Sequence, residues 1–550
     1  MLDSKSKTPH FTSPDGDPEE DLYRWQQTHA LTPERAALAH QVLEEVRAGL
    51  SVSAAVRRHP LPGGGLLPKS ALVTVYRQMV ESGEMDADPA LLGRIRMKPV
   101  RSLSGVTTVT VLTKPYPCPG HCIFCPDDVR MPKSYLPDEP GAARAFQNHF
   151  DPWMQVHSRL ESYQAVGHPT DKIELLILGG TWSAYRRDYQ EEFVRRCFDA
   201  LNEVESATLA EAHAHNEAGP HRNVGLVIET RPDEITVKEL TWLRSLGVTK
   251  VQMGVQSLDD RILTLNRRGH TVAQAHAAAA LLRAFGFKIV LHWMPNLLGA
   301  TPDTDREDFA RLWQGLCPDE IKIYPTQLLA GTELYAAWQR GEYTPYSTEQ
   351  LIQLVADIKP GIPEYCRVNR VIRDIPSPHV VEGNKRTSLR QDVLAELARR
   401  GQKCRCIRCR EVRGQAVEAD QLELRDLTYP AGFAEEHFLS FVTPGDQIAG
   451  YLRLSLPGPN SPETGLADLQ GAALVREVHV YGQSLAVGAD QPGAAQHSGL
   501  GTALLQEAGQ IARRAGFQRL AVIAAVGTRA YYAGRGFLPG ELYHVKELNP

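Results

Sequence analysis

No run of about eighteen uncharged apolar residues occurs in the 550-residue chain, so the sequence offers no candidate membrane-spanning helix. The first twenty residues, MLDSKSKTPHFTSPDGDPEE, lack the apolar centre of a secretory signal. These absences predict a cytoplasmic protein. Cysteine is scarce and odd in number: nine in all, six of them in two tight triplets, CPGHCIFC at 118–125 and CRCIRC at 404–409. That is metal-ligand spacing, not a disulfide framework. No basic excess marks the whole chain as a nucleic-acid binder, because the net charge is −5. Basicity is local instead. RIRMKPVR at 94–101 carries four basic residues and no acidic one, and residues 399–413 carry seven against Glu411 alone. No internal repeat is visible. A hydrophobic content of 42% and a charged content of 23% are those of ordinary globular domains, and the length suggests about three or four of them.

Residues 1–95 read as an N-terminal helical segment, with Thr32 as N-cap, Pro33 at the first helical position and a glycine-rich break, PLPGGGLLP, at 61–68. Over 96–390 apolar β-type runs alternate with helix-length stretches: VTTVTVLT, IELLILGGT, NVGLVIETRP, KVQMGVQS, FKIVLHWMP and EIKIYPTQ. Six such runs predict parallel βα units. Their near-continuous apolar character predicts strands covered on both faces. The fold class expected is α/β, a partial (β/α)6 barrel, although periodicity alone leaves a Rossmann-type sheet open. A basic linker, 391–425, follows. Residues 426–550 then read as a separate mixed α/β domain, with a hairpin around PGD, a strand in AALVREVHVYG, a glycine-led helix and a strand in RLAVIAAVG.

CPGHCIFC follows the first strand, and active sites of parallel barrels lie at the C-terminal ends of strands. Three thiolates are one short of a closed zinc site or a fully protein-ligated cubane. Cys118, Cys122 and Cys125 therefore suit a [4Fe–4S] cluster with one open iron. The alternative is zinc completed by a remote residue. The spacing and position resemble the radical S-adenosylmethionine superfamily, in which the open iron chelates S-adenosylmethionine. In that resemblance Gly179 and Gly180 hold the methionine end, whereas Thr181 stands where a glutamate is usual. Glu229, Arg231 and Gln256 end later strands and are expected at the same mouth, where Arg231 could pair with a carboxylate.

QHSGLG at 496–501 matches a Q-x-x-G-x-G turn whose helix-terminal amides can surround a pyrophosphate. It follows a strand and precedes a helix, a strand and YYAGRGF, the order of Gcn5-related acetyltransferases, which implies acetyl-CoA. CRCIRC offers Cys404, Cys406 and Cys409 to a structural zinc; the fourth ligand is not readable, and Cys366 is a candidate only by residue type.

The pairing of these halves, with KPVRSLSGV, NHFDPWMQVHSRL, GLVIETRPDE, NRRGHT, RVNRVIRDIP and REVHVYG, resembles the catalytic subunit of Elongator in its single-chain prokaryotic form. CPDD at 125–128 departs from that family's usual CPGG. The resemblance implies modification of tRNA at the wobble uridine, position 34, in the anticodon loop. A 5'-deoxyadenosyl radical would activate the acetyl group of acetyl-CoA for addition to uridine carbon 5, with an external electron donor. It further implies that the helical segment and basic linker bind tRNA, and that acetyl-CoA is contacted by Lys172, Glu477, Val478, His479, Val480, Gln496, Gly499, Leu500, Gly501, Thr502, Ala503, Tyr531 and Tyr532, with Lys172 and Tyr532 catalytic. The rival reading is a protein lysine acetyltransferase with a purely structural cluster.

Overall fold

A computed structural model of the chain describes residues 31–62, 64–97, 102–413, 415, 417–482 and 499–548. The chain divides into two compact units, residues 1–99 with 159–169, and residues 100–158 with 170–550.

Among the described residues of the first unit are the helices Pro33–Arg47, Val52–Arg58, Lys69–Glu81 and Pro89–Ile95. Thr32 caps the first by accepting the Arg35 amide at 3.2 Å, with Pro33 opening it, and Asp88 caps the last through the Ala90 and Leu91 amides. Val42, Leu43, Val46, Leu72, Tyr76, Met79, Leu91 and Ile95 pack into one core.

The second unit contains two seven-stranded sheets. The first is wholly parallel and runs in sequence order: β1 (Thr107–Leu112), β2 (Lys172–Leu178), β3 (Arg222–Thr230), β4 (Lys250–Gln256), β5 (Lys288–Trp293), β6 (Glu320–Ile323) and β7 (Arg367–Arg370). Six strands stand where the sequence predicts them. The seventh, RVNR, has only one apolar residue and gives no hydrophobic signal. Both faces of the strands are covered, as the sequence predicts, but the inner face is polar where the runs read as near-continuously apolar. Residues 250 and 252 on β4, 320 and 322 on β6, and 288 and 292 on β5 are polar, and they reach one another across the inner face of the curled sheet: Lys250 Nζ donates to Glu174 at 2.5 Å and Glu320 at 3.2 Å, Lys322 to Gln252, and Asn369 to Glu320 at 2.5 Å. The outward residues, such as Val251, Met253, Ile321 and Ile323, are fully buried.

The second sheet has the order β13 (Leu538–Pro539), β14 (His544–Glu547), β12 (Arg519–Val522), β11 (Ala472–Val480), β10 (Ile448–Pro457), β9 (Ala434–Val442) and β8 (Glu423–Ala431). β9 and β10 form the hairpin expected around PGD. β11 and β12 pair in parallel, and the pairing ends at Val475↔Val522 while β11 runs on to Val480. Helix Leu500–Arg514 lays Leu504, Leu505, Ala508, Ile511 and Ala512 on the sheet.

This second sheet packs against the N-terminal ends of the barrel strands, opposite the cysteine loop after β1. Arg476, fully buried, donates to Asp319 at 2.6 Å, to Glu436 at 2.7 Å and to the Phe287 carbonyl at 3.0 Å. Breaking one partner of such a buried set costs about 3–5 kcal/mol, because it strands a desolvated charge.

Candidate functional site

At the C-terminal ends of the barrel strands, the loop after β1 carries Cys118, Cys122 and Cys125. Thr181 Oγ1 lies 3.5 Å from the Cys118 sulfur, and Arg268 Nη1 donates to the Cys122 sulfur at 3.4 Å. A hydrogen bond from Cys125, together with Arg268 and Arg231, outweighs burial and holds the Cys122 thiol down at about 5. Gly179 and Gly180, both in the left-handed region, lie at the end of β2; a side chain on Gly179 would collide with Thr113, whereas the space beside Gly180 is open to within 3.6 Å. Glu229 accepts from Tyr135 at 3.3 Å and lies 3.3 Å from His292 Nδ1; burial would raise its carboxyl, but His292, Lys322 and Arg373 hold it at about 2. Arg231 pairs with its own Asp233 at 2.9 Å, and its Nη1 points at Gly120 of the cysteine loop. Gln256 has a left-handed backbone, φ 70°.

Arg231 Nη1, Gln256 Oε1 and both ring nitrogens of His270 are buried without a hydrogen-bond partner. Buried polar atoms are ordinarily satisfied, so these atoms at the strand ends fit a polar ligand such as S-adenosylmethionine. The two cysteine triplets differ in how closely their sulfurs are drawn together. The sulfurs of Cys404, Cys406 and Cys409 all lie within 4.8 Å of one another, as one tetrahedral ion requires, whereas Cys118, Cys122 and Cys125 form no such close group.

At the other end of the barrel, Lys172 is the first residue of β2 and shares its inner face with Glu174; burial lowers its ammonium from the ordinary value. Glu477 on β11 receives Lys288 from β5, Tyr451 at 2.8 Å and Arg453 at 2.9 Å. Burial works against its charge, but Lys288 and Arg453 hold it at about 2. Its carboxylate is thus a tie to the barrel floor. His479 stacks near Tyr451 and Tyr481 with Nε2 buried and unpartnered, and Val478 packs on the sheet core. Val480 ends the stretch of β11 that β12 does not accompany. Gln496 lies outside the described residues. Gly499 is the left-handed N-cap of the helix that begins Leu500, Gly501, Thr502, Ala503. A side chain on Gly501 would strike the Tyr531 hydroxyl. Arg535 stacks on the Tyr531 ring at 3.5 Å and donates to Thr502 Oγ1 at 3.1 Å, placing a cation beside the helix N-terminus. Tyr532 is a buried core ring against Phe537, its phenol pushed up by burial.

Cys404, Cys406 and Cys409 close around one ligand-sized space, and Cys366 lies beside them, its carbonyl accepting the Ile407 amide at 3.0 Å, but outside the close group. Lys359 is fully buried there with Nζ unpartnered. The basic residues nearby are mostly spoken for: Arg405 pairs with Glu364 at 2.7 Å, Arg410 with Glu364 and Asp446, and Arg400 with Asp357 and Glu396. Among the described residues, Lys403 and Arg408 make no such ion pair. In the first unit Arg94 braces the Val46 and Leu50 carbonyls, and Arg96 that of Gly167. Lys98 lies outside the described residues.

Sequence reasoning assigned no role to Arg268, His270, His292, Lys288 or Arg453. The signal for the inner lining was present as strict polar–apolar alternation in KVQMGVQ and EIKI.

Residues 116–312 match the radical SAM superfamily and residues 318–399 the radical SAM C-terminal domain. The chain is 44% identical to the tRNA uridine(34) acetyltransferase of Dehalococcoides mccartyi (strain CBDB1), covering 82% of this chain and 99% of that one. It is 37% identical to Elongator complex protein 3 of Homo sapiens, over 83% of this chain and 87% of the relative. The solved structure of the archaeal Methanocaldococcus infernus Elp3 with an N-terminal deletion (1–46) superposes with a TM-score of 0.70 at 36% identity, covering 81% of this chain and all of that one. The chain belongs to the family of tRNA uridine(34) acetyltransferases and Elongator complex protein 3.

Proposed function

We infer that the chain is a radical S-adenosylmethionine tRNA uridine(34) acetyltransferase, joining the acetyl carbon of acetyl-CoA to carbon 5 of the wobble uridine. The observation that carries this reading is a single folded unit with an open three-cysteine loop at one end of a parallel barrel and a sheet split between β11 and β12 at the other. Carbon 5 of uridine is too weak a nucleophile for direct acyl transfer, whereas a carbon radical made by removing a hydrogen atom from the acetyl methyl can add to the uridine C5–C6 double bond. A [4Fe–4S] cluster held by Cys118, Cys122 and Cys125, with S-adenosylmethionine, supplies that one-electron chemistry when bound, and an external donor supplies the electron.

The chain's own residues divide the remaining work. Gly180, Arg231, Gln256 and His270 hold and orient S-adenosylmethionine through the atoms left unpartnered at the mouth. The Leu500 and Gly501 amides and Arg535 hold the pyrophosphate of acetyl-CoA, the Thr502 and Ala503 amides donating to the Gly499 carbonyl, and the β11 edge beyond Val475 holds its pantetheine arm. Lys172 and the Glu477–Val480 stretch line the acyl end. Cys404, Cys406 and Cys409 hold a structural zinc between the halves, and the N-terminal helical unit with Lys403 and Arg408 meets tRNA phosphates. The working boundaries are 1–95, 96–390, 391–425 and 426–550, in a cytoplasmic enzyme; no helix among the described residues is long and apolar enough to cross a membrane.

The test uses acetyl-CoA with a deuterated methyl group, tRNA, S-adenosylmethionine and a reductant. Deuterium is expected in 5'-deoxyadenosine and a carboxymethyl-type group on uridine 34. Gly501→Leu should cut both at least tenfold, because its side chain meets Tyr531. Modified uridine alongside unlabelled deoxyadenosine would overturn the mechanism.

A further inference from the structure

Arg268 is 6% exposed, yet among the described residues no carboxylate pairs with it. Its Nε and Nη2 both donate to the Gly254 carbonyl, and Nη1 donates to the Cys122 sulfur at 3.4 Å. Asp233 is taken by Arg231, whose Nη2 in turn donates to the Arg268 carbonyl at 2.8 Å. His270 is kept uncharged by burial and by Arg268 itself. Gly254 is matched to this arrangement, since a side chain there would come within 2.8 Å of Nη2.

A desolvated guanidinium without an anion is costly to a fold, and buried charges are normally paired or set against a metal centre. Two carbonyl bonds fix the guanidinium plane, and the remaining donor points at a sulfur. Among the described residues its counter-ion is at the cysteines: the Cys122 thiolate and whatever that thiolate binds.

We propose that Arg268 is the built-in counter-charge of the cysteine-bound cluster, a positioning residue that sets its reduction potential. This rests on the reading of Cys118, Cys122 and Cys125 as cluster ligands. A cubane with three thiolates carries net charge −1 oxidised and −2 once one electron is added. A fixed cation and an N–H···S bond at Cys122 stabilise the more negative state, so they raise the potential and bring the cluster within reach of its electron donor.

The experiment compares the full-length parent protein with Arg268→Gln and Arg268→Lys, each reconstituted anaerobically with iron and sulfide and titrated with the reduced cluster followed by electron paramagnetic resonance. Arg268→Gln should move the midpoint negative by at least the equivalent of a tenfold change in the reduction equilibrium, about 59 mV for one electron. Arg268→Lys, which keeps the charge, should shift by less than half as much. A second readout is thermal stability. Apoprotein of Arg268→Gln should gain less in melting temperature on reconstitution than the parent apoprotein does, because the added charge of the cluster no longer meets a buried cation. A loaded variant with the parent midpoint overturns the proposal, as does a gain in melting temperature on reconstitution equal to the parent's, which would make Arg268 a structural strut. A variant whose apoprotein melts like the parent but takes up no cluster supports it. If the parent itself binds no iron, the cluster assignment is what fails.

Discussion

The two cysteine triplets contain the same ligands and reach different geometries. C-x3-C-x2-C follows a strand at the C-terminal end of a parallel barrel, on a loop where Cys122 and Cys125 are hydrogen-bonded but the three sulfurs form no single close group. C-x-C-x2-C runs into a single helical turn, Ile407–Arg410, and its sulfurs close to within 4.8 Å. Two more residues between the first pair of cysteines separate a frame for a multi-iron body from a frame for one ion. The electrostatics are alike. Each triplet has one thiol held down by its neighbours, Cys122 by Cys125 and Cys406 by Cys404 and Cys409. Each also has a buried cation with no carboxylate partner among the described residues, Arg268 in one and Lys359 in the other. A three-cysteine site in this protein comes with its own positive charge.

The comparison breaks most completely if the triplets exchange metals. Replacing Cys118, Cys122 and Cys125 by alanine should abolish the iron–sulfur absorbance and all uridine modification while zinc content stays at about one ion per chain. Replacing Cys404, Cys406 and Cys409 by serine should do the reverse, removing zinc, leaving iron, and lowering the melting temperature, since a structural ion contributes folding energy directly. Metal analysis of both variants checks this, and equal losses of iron and zinc in either would show that the two sites are not independent.

A smaller effect sharpens the parallel between the cations. Lys359→Met should weaken zinc affinity by about ten- to a hundredfold, the usual scale for groups just outside a metal's ligands. It should also raise the melting temperature of chelator-treated protein. Competition with a chromophoric chelator reads the first and calorimetry the second; unchanged affinity would mean that Lys359 answers to another partner.

The smallest effect concerns the arginines around the second triplet. Lys403→Gln with Arg408→Gln should each reduce the slope of log affinity for tRNA against log salt by about 1, whereas Arg405→Gln, already engaged by Glu364 and Asp446, should change it far less. Equal slopes for all three would return the segment to a solvated surface.

Both triplets, the six apolar strands and the hairpin around PGD were legible because each rests on local spacing. The missing pieces share a cause. β7 and β8 are short or solvent-facing, so neither has a hydrophobic rhythm to read. The seven basic residues of 399–413 looked unopposed because Glu364, Asp357 and Asp446 come from elsewhere in the chain. RR at 267–268 contains one arginine paired with Glu333 at the surface and one buried against a cysteine, and only the fold tells them apart. The polar inner face of the barrel could have been read from alternation, but apolar neighbours on every second position made the strands look continuous.

The ties between barrel and second sheet bear on how such a gene can be inherited. Arg476 is shared among Asp319, Glu436 and the Phe287 carbonyl, and Glu477 is shared between Lys288 and Arg453. Either half expressed alone would turn these desolvated charges toward solvent or leave them without partners. Recombination that swapped in a foreign acetyltransferase half would have to restore both sets at once. The two halves are therefore not interchangeable modules, and a chain descended from such a fusion evolves, loses function or is lost as one piece.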